Sequence, residues 1–259
     1  MDKGDRRAAI EDAYRDDLAY VHDTGHTAIA RDAAERLLDE LSKAGHRDGT
    51  IVDLGCGSGV LAGRLTKAGY RVIGIDVSHA MIALARARTP SAEFHVGSFV
   101  SADLPACVAV AAVGEVVNYC FDPENGAGAR RDLVRRVHDA LRPGGLFLFD
   151  VAGPERAKPG KHRTFTEGEG WTVLVEADSN GADRVVTRTI TTFRQVGTLY
   201  RRSVEVHRLE LVDPGEELAL LRAAGFEARP IQGYGATALP HGVVGFLCRK
   251  QTLADRLQP

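Results

Sequence analysis

The chain has little surplus charge of either sign. Its 33 Lys and Arg stand against 35 Asp and Glu, a formal net charge of −2. A protein that neutralises phosphates carries a basic excess, so nucleic acid and acidic membrane surfaces are not expected as partners. Cysteine is also scarce. Cys56, Cys107, Cys120 and Cys248 are scattered without metal-ligand spacing, in apolar or strand-like contexts. They read as buried free thiols in a reducing cytoplasm. No stretch is apolar enough to span a bilayer. Residues 1–7 are charged where a signal peptide would have an apolar core. The expectation is a cytoplasmic chain without membrane contact. Internal repeats and low-complexity tracts are lacking too. What is present is 259 residues, 44% of them hydrophobic, enough for one sizeable core. That length suits a single domain with an insertion better than two domains.

The most informative stretch is residues 51–59, Ile-Val-Asp-Leu-Gly-Cys-Gly-Ser-Gly. An apolar, β-branched run stops at three glycines, and a helical pattern follows. Glycines let the backbone approach a ligand, because no Cβ intervenes. The unpaired N–H groups that open the next helix can face that ligand. A second run, residues 71–76, ends in Asp76. An acid at a second strand tip is placed to accept hydrogen bonds from a ribose diol. A dinucleotide fingerprint would need a third glycine where Val60 stands. It would also set the Asp53 carboxylate beside a pyrophosphate, like charge against like. The same carboxylate suits a ligand with a cationic amino-acid tail.

Residues 24–41 read as one helix, with Ile29, Ala33, Leu37 and Leu41 recurring and Asp23 or Thr24 as cap. Helices follow at 60–67, at 79–88 behind a Ser78 cap, and at 129–141. Strands are expected at 93–99, in the first half of the apolar run 108–117, and at 146–149. This alternation predicts a parallel sheet covered on both faces. Its ligand crevice lies at the strands' carboxyl ends, where Gly55–Gly59, Asp76, Gly97-Ser98 and Gly114-Glu115 all fall. The pattern then changes. Residues 163–211 look like three strands of period-2 alternation, turning at Asn180-Gly181 and Gly197. Asp213-Pro214-Gly-Glu216 opens a capped helix ending at Gly225, and strands at 227–232 and 243–249 return to the sheet.

Asp53, Gly55, Gly57 and Gly59 match the Asp-x-Gly-x-Gly-x-Gly motif, and the chain resembles the class I S-adenosylmethionine (SAM) methyltransferases over about residues 45–250. The turn at residues 141–147 is similar to one recurrent in that family. The arrangement of N-terminal helix, core and insert looks like small-molecule N- and O-methyltransferases, including sugar N,N-dimethyltransferases. The resemblance implies a doubly wound, mostly parallel, seven-stranded α/β sheet of Rossmann-like type with an inserted antiparallel β-sheet. Residues 1–44 would be a helical lid, 45–152 the SAM-binding core, 153–212 the insert and 213–259 the return to the core. The insert would roof a substrate pocket or pair subunits in a homodimer. Asp53, Gly55 and Gly57 would hold the methionine end of SAM. Asp76 would take the ribose, with Val77 and Met81 beside the adenine and Ser98 and Phe99 near its edge, and Cys56, Gly59, Gly97 and Gly114 would complete the cofactor site. Ser98 departs from the family, which often has Asp there, and Ala106-Cys107-Val108 lacks the Asp that usually begins the fourth strand.

The sulfonium makes the methyl an electrophile, so the protein has to align a nucleophile and exclude water. A base is needed only for a protonated nucleophile. By resemblance the tip after the fourth strand faces the methyl. There Tyr119 and Glu115 are catalytic candidates; Glu115 could bind the cofactor's amino group, orient Tyr119 or act as base. Asn118 is a substrate-contact or turn residue. The N-terminal stretch offers Tyr14, Tyr20, His22 and His26, the histidines titrating near neutrality. In the insert, Trp171, Tyr200 and His207 are pocket-lining or sheet-packing groups. Lys158, Lys161, Arg163, Arg201 and Arg202 are solvated surface, or hold an acidic acceptor group. The carboxylate cluster of magnesium-dependent methyltransferases is not seen, and no metal is expected. The expected activity is methyl transfer to nitrogen or oxygen of a small-molecule acceptor. The alternatives are other SAM chemistry, such as intramolecular attack, and a regulatory SAM-binding subunit; a nicotinamide dehydrogenase comes last.

Overall fold

A computed structural model describes residues 13–179 and 184–252. The expected Asn180-Gly181 turn and the charged residues 1–7 lie outside the described residues. Seven strands form one sheet: β1 Thr50–Leu54, β2 Arg71–Asp76, β3 Glu93–Val96, β4 Cys107–Ala112, β5 Leu141–Ala152, β10 Phe226–Ile231 and β11 Val243–Lys250. Their order is β10-β11-β5-β4-β1-β2-β3. The first five are parallel, and β11 runs antiparallel to both β5 and β10. The chain steps outward from β1 to β3, then returns to lay β4 on the other side of β1. That reversal opens a crevice at the carboxyl ends of β1 and β4.

Strand periodicity explains why both faces are covered. Successive side chains point to opposite faces, and the core splits accordingly. Ile51, Ala109, Ala111, Leu146 and Leu148 pack against one helix layer, formed by α2 Ala28–Lys43, α3 Val60–Lys67 and α4 His79–Arg88. Their neighbours Val52, Val110, Ala112, Phe147 and Phe149 pack against α5 Ala127–Ala140 and α6 Pro214–Ala223. Strands buried on both sides must be apolar throughout, as all six residues of β4 are. Ser78 caps α4 by accepting the Met81 N–H. Asp213 caps α6 by accepting from Gly215 and Glu216. No helix among the described residues is long and apolar enough to cross a membrane.

Between β5 and α6 lies a second sheet, ordered β6-β7-β8-β9, with β6 Gly160–Gly168, β7 Trp171–Ser179, β8 Val185–Val196 and β9 Leu199–Glu210. All its pairings are antiparallel. The sequence predicts three strands here and the structure has four. Strand β6 is exposed along its whole length, so it never acquired an apolar alternation. Gly197 does turn β8 into β9, at φ 63°. A second correction concerns the N-terminal helix. Instead of one helix at 24–41 there are two, α1 Asp16–Gly25 and α2. Neither Asp23 nor Thr24 caps a helix start; Thr24 donates back to the Tyr20 carbonyl inside α1. Gly25, the last residue of α1, lets the Trp171 ring pass, since a Cβ there would come within 2.6 Å of it. Helix α1 thereby packs on the insert through Leu18, Val21, Trp171, Val173 and Ile190.

Candidate functional site

A cavity of about 450 Å³ occupies the crevice, walled by the strand tips, by α1 and by the inner face of the inserted sheet. At one end lie Gly55, Gly57, Asp76, Val77, Met81, Gly97, Ser98, Phe99 and Gly114. Asp76 ties this end together. One of its oxygens accepts the Gly57 N–H at 2.8 Å, the other the Ser78 N–H at 2.9 Å. Burial raises its pKa, and these two backbone donors oppose the rise. Gly57 is left-handed, with φ 51°, and a Cβ built on it meets nothing within 4 Å. A side chain there would project into the space a ligand needs.

Asp53 lies beneath this loop, 2% exposed and outside the cavity lining. Its Oδ2 has no hydrogen-bond partner. Burial, then the charge of Asp76, push its pKa up to about 8. An orphaned buried carboxylate awaits a cation or a proton. Two expected contacts are placed elsewhere. The Cys56 side chain is buried in the core, where a Cβ on Gly74 would come within 2.9 Å of its sulfur. Gly59 is left-handed and lies where a Cβ would press on Ala85 and Phe94. Both positions pack the loop and its helix, away from the cavity.

The other end of the cavity is aromatic and charged. Tyr14 and Tyr119 share a hydrogen bond of 2.9 Å between their hydroxyls. Tyr119 stacks on Phe121 with centroids 5.0 Å apart. Tyr14 holds φ 46°, a rare value for a residue with a side chain, and its carbonyl accepts the Ser78 hydroxyl at 2.7 Å. Burial raises the pKa of both phenols, so each is neutral at pH 7. His22 meets the Tyr14 ring edge-on at 5.5 Å and stacks with His26 at 5.9 Å. Burial, then His26, push the His22 pKa down to about 4, which keeps its imidazole neutral.

Glu115 departs from the role of base. Burial alone would raise its pKa, but Arg188 and Arg156 outweigh burial and hold it below the ordinary carboxylate value. Arg188 Nη1 donates to it at 2.8 Å and Arg156 Nε at 2.8 Å. A carboxylate held ionised between two guanidiniums is a poor proton acceptor. Its backbone, at φ 60°, is held by Asp150, which accepts the Gly114 and Glu115 N–H groups and the Tyr234 hydroxyl. Burial pushes Asp150 up to about 6 against those three donors.

Five further candidates, Asn118, Tyr200, Tyr20, Trp171 and His207, lie outside the cavity lining. Asn118 is fully buried and aims away from the cavity. Its amide donates to the carbonyls of Ala152 and Glu210 and accepts the Ala152 N–H, pinning β9 to β5. Tyr200 is 60% exposed near the β8–β9 turn. Tyr20 lies outside the cavity under the Arg194 guanidinium, 3.7 Å from its ring centroid. Trp171 is buried between α1 and the insert, its ring 6.1 Å from His26. His207 is buried behind the site, against the Tyr14, Tyr119 and Phe121 rings, bonded to Glu205 at 3.0 Å.

Sequence reading missed Asp150, Arg156, Arg188, Phe121 and Thr164, all cavity-lining. Asp150 had a signal, an acid in the apolar β5 run, like Asp76 in β2. Arg188 had one as well. It interrupts the inward row of β8 between Val186 and Ile190, both buried. Arg156 follows β5 in a short turn and had none.

A glycine loop braced by an acid at the next strand tip, with an orphaned carboxylate beneath, suits a ligand with a diol and a cationic tail. The model of the Methyltransferase domain family matches residues 51–145, the segment that builds this loop and the tips of β1, β2 and β4. The chain carries a methyltransferase domain over those residues and is similar to the SAM-dependent methyltransferases. SAM is therefore the cofactor of this methyltransferase, and the residues present fit it. Among similar proteins, the putative methyltransferase YqeM of Bacillus subtilis is 27% identical over 184 residues, 69% of this chain and 74% of that protein. Trans-aconitate 2-methyltransferase of Paracidovorax citrulli is 37% identical over 131 residues, 49% of this chain and 45% of that protein. The second match thus spans less than half of that relative's length. The SAM-bound amino pentose methyltransferase CalS10 of Micromonospora echinaspora has the same fold, with a TM-score of 0.72 at 24% identity, covering 90% of this chain and 97% of that one.

Proposed function

We propose that this methyltransferase transfers a methyl group to a nitrogen or oxygen of a small-molecule acceptor held under the inserted sheet. The observation that carries this reading is the two-ended cavity, with the glycine-loop end continuous with an aromatic, cationic end. When bound, SAM supplies the methyl on a sulfonium leaving group. Asp53 and the Gly55–Gly57 backbone would face its methionine part, Asp76 its ribose, and Met81, Ser98 and Phe99 its adenine. Ser98 offers a hydroxyl where a carboxylate is common. The hydroxyls of Tyr119 and Tyr14 would hold the acceptor in line, and neutral His22 stands beside them, where burial holds its pKa down at about 4 and suits it to hydrogen bonding more than to proton removal. Leu18 and Val21 of α1, with Val173, Val175 and Ile190 of the insert, would exclude water from above. Trans-aconitate and amino pentoses, named for two similar proteins, are both compact polar molecules. That range supports a small acceptor without choosing its methylated atom.

Calorimetric titration with SAM of wild type and Asp76→Ala tests the cofactor half. Loss of the carboxylate should weaken binding by about tenfold or more, the scale of charge-assisted hydrogen bonds. Unchanged affinity would remove Asp76 from the ribose site. Incubation with candidate acceptors should release S-adenosylhomocysteine and add 14 mass units, about one CH₂, to the acceptor. Release of methylthioadenosine instead would mean different chemistry.

A further inference from the structure

The charged end of the cavity is unbalanced. Glu115 comes from the tip after β4, Arg156 from the turn after β5 and Arg188 from the middle of β8. One carboxylate serves both guanidiniums, since Arg188 takes both Glu115 oxygens, at 2.8 and 3.3 Å, and Arg156 Nε shares one at 2.8 Å. No other carboxylate among the described residues pairs with either arginine. Asp150, which also lines the cavity, has its oxygens occupied by two backbone N–H groups and the Tyr234 hydroxyl. His22 is neutral. The hydroxyls of Tyr14 and Tyr119, which also line the cavity, are neutral as well. The wall therefore carries one net positive charge, with side chains only 11% (Glu115), 15% (Arg188) and 32% (Arg156) exposed. Uncompensated charge taken out of water is costly, and a protein keeps it where a ligand completes the pairing.

Arg156 is the open member of this triad. Its Nε is used, while its terminal nitrogens make no hydrogen bond to any described residue. It also lines the cavity. Guanidinium nitrogens in that fork match the two oxygens of a carboxylate or phosphate. The cavity lining also includes the apolar side chains of Val175, Ile190 and Phe121.

We infer that the acceptor is an organic anion with an apolar body, whose carboxylate or phosphate docks on the open side of Arg156 with Arg188 behind it. Glu115 then acts as a positioning residue that holds both guanidiniums at the cavity wall. The inference rests on the methyltransferase reading, and the test separates the two. Wild type, Arg156→Gln and Arg156→Lys are first titrated with S-adenosylhomocysteine. Failure of the wild type to bind it would sink the methyltransferase reading before any anion is added. Equal binding in all three shows that the variants are folded. The loaded proteins are then titrated with benzoate, phenyl phosphate and benzamide. Wild type should bind at least one anion about tenfold more tightly than benzamide, and the tighter anion names the group. Arg156→Gln should lose that margin, and Arg156→Lys should keep part of it by charge without the fork. Equal affinity for anions and amide, including no binding of any, would overturn the inference. So would a preference for the anions that survives in Arg156→Gln.

Discussion

Asp53 and Glu115 show how one chemical group, the carboxyl, is shifted in opposite directions by environment. Asp53 is buried without a donor, and its pKa rises to about 8. In the unfolded chain it would titrate near 3.8. Between these values the native state keeps a proton that the unfolded state releases, so stability falls as pH rises from about 4 toward 8. Asp53→Asn should flatten that fall. Melting temperatures of the ligand-free protein should diverge from wild type as pH approaches 8, with the variant higher, while SAM binds it more weakly. Parallel curves for the two proteins would mean that Asp53 is solvated or paired. Glu115 has the reverse sign. Two arginines hold its pKa below 4.5, so its contribution is present above that value and lost as pH falls through the depressed native one.

At the scale of elements, the Asn118 side chain is one of the groups that join the insert to the core. Asn118 carries three hydrogen bonds, two to Ala152 and one to Glu210, in a site with no exposed surface. Asn118→Ala would strand those buried backbone groups. We expect about 2–4 kcal/mol of destabilisation, read as a lower denaturation midpoint with the slope unchanged. Gly59→Ala acts on another junction. Its φ of 75° is costly with a side chain, and the new Cβ would stand 3.1 Å from the Ala85 backbone. The resulting loss of about 1–3 kcal/mol should appear as stability, with SAM affinity following only if α3 shifts. A large loss of SAM affinity at full stability would instead make Gly59 part of the binding surface.

For the whole molecule, cofactor and fold are coupled by mass action. The glycine loop, the tips of β2 and β4, and α1 meet at one cavity, so a ligand there binds only the assembled chain. S-adenosylhomocysteine at a hundred times its Kd should add about 2.7 kcal/mol. In a chain of 259 residues that raises Tm by roughly 5–10 °C. Asp76→Ala should lose most of the rise at the same ligand concentration. An identical rise in both proteins would place the ligand elsewhere.

The sequence alone determined what depends on neighbours along the chain. The strand-loop-helix at 50–67, the Ser78 and Asp213 caps, the α3 and α4 boundaries and the parallel α/β core were all legible, because glycine conformation, capping and strand periodicity act within a few residues. Tertiary structure decided the rest. The exposed strand β6 has no apolar face to announce it, and the end of α1 at Gly25 packs against Trp171, which lies 146 positions away. Asn118 reads as a turn residue until Ala152 and Glu210 surround it. Arg188 lies 73 residues from Glu115 and Arg156 lies 41. Only the folding of the insert over the crevice turns three separate charges into one cationic wall. Local pattern placed the cofactor loop, which is built from consecutive residues, and long-range packing made the acceptor end, whose side chains come from Tyr14 and α1, the tips after β4 and β5, and the insert.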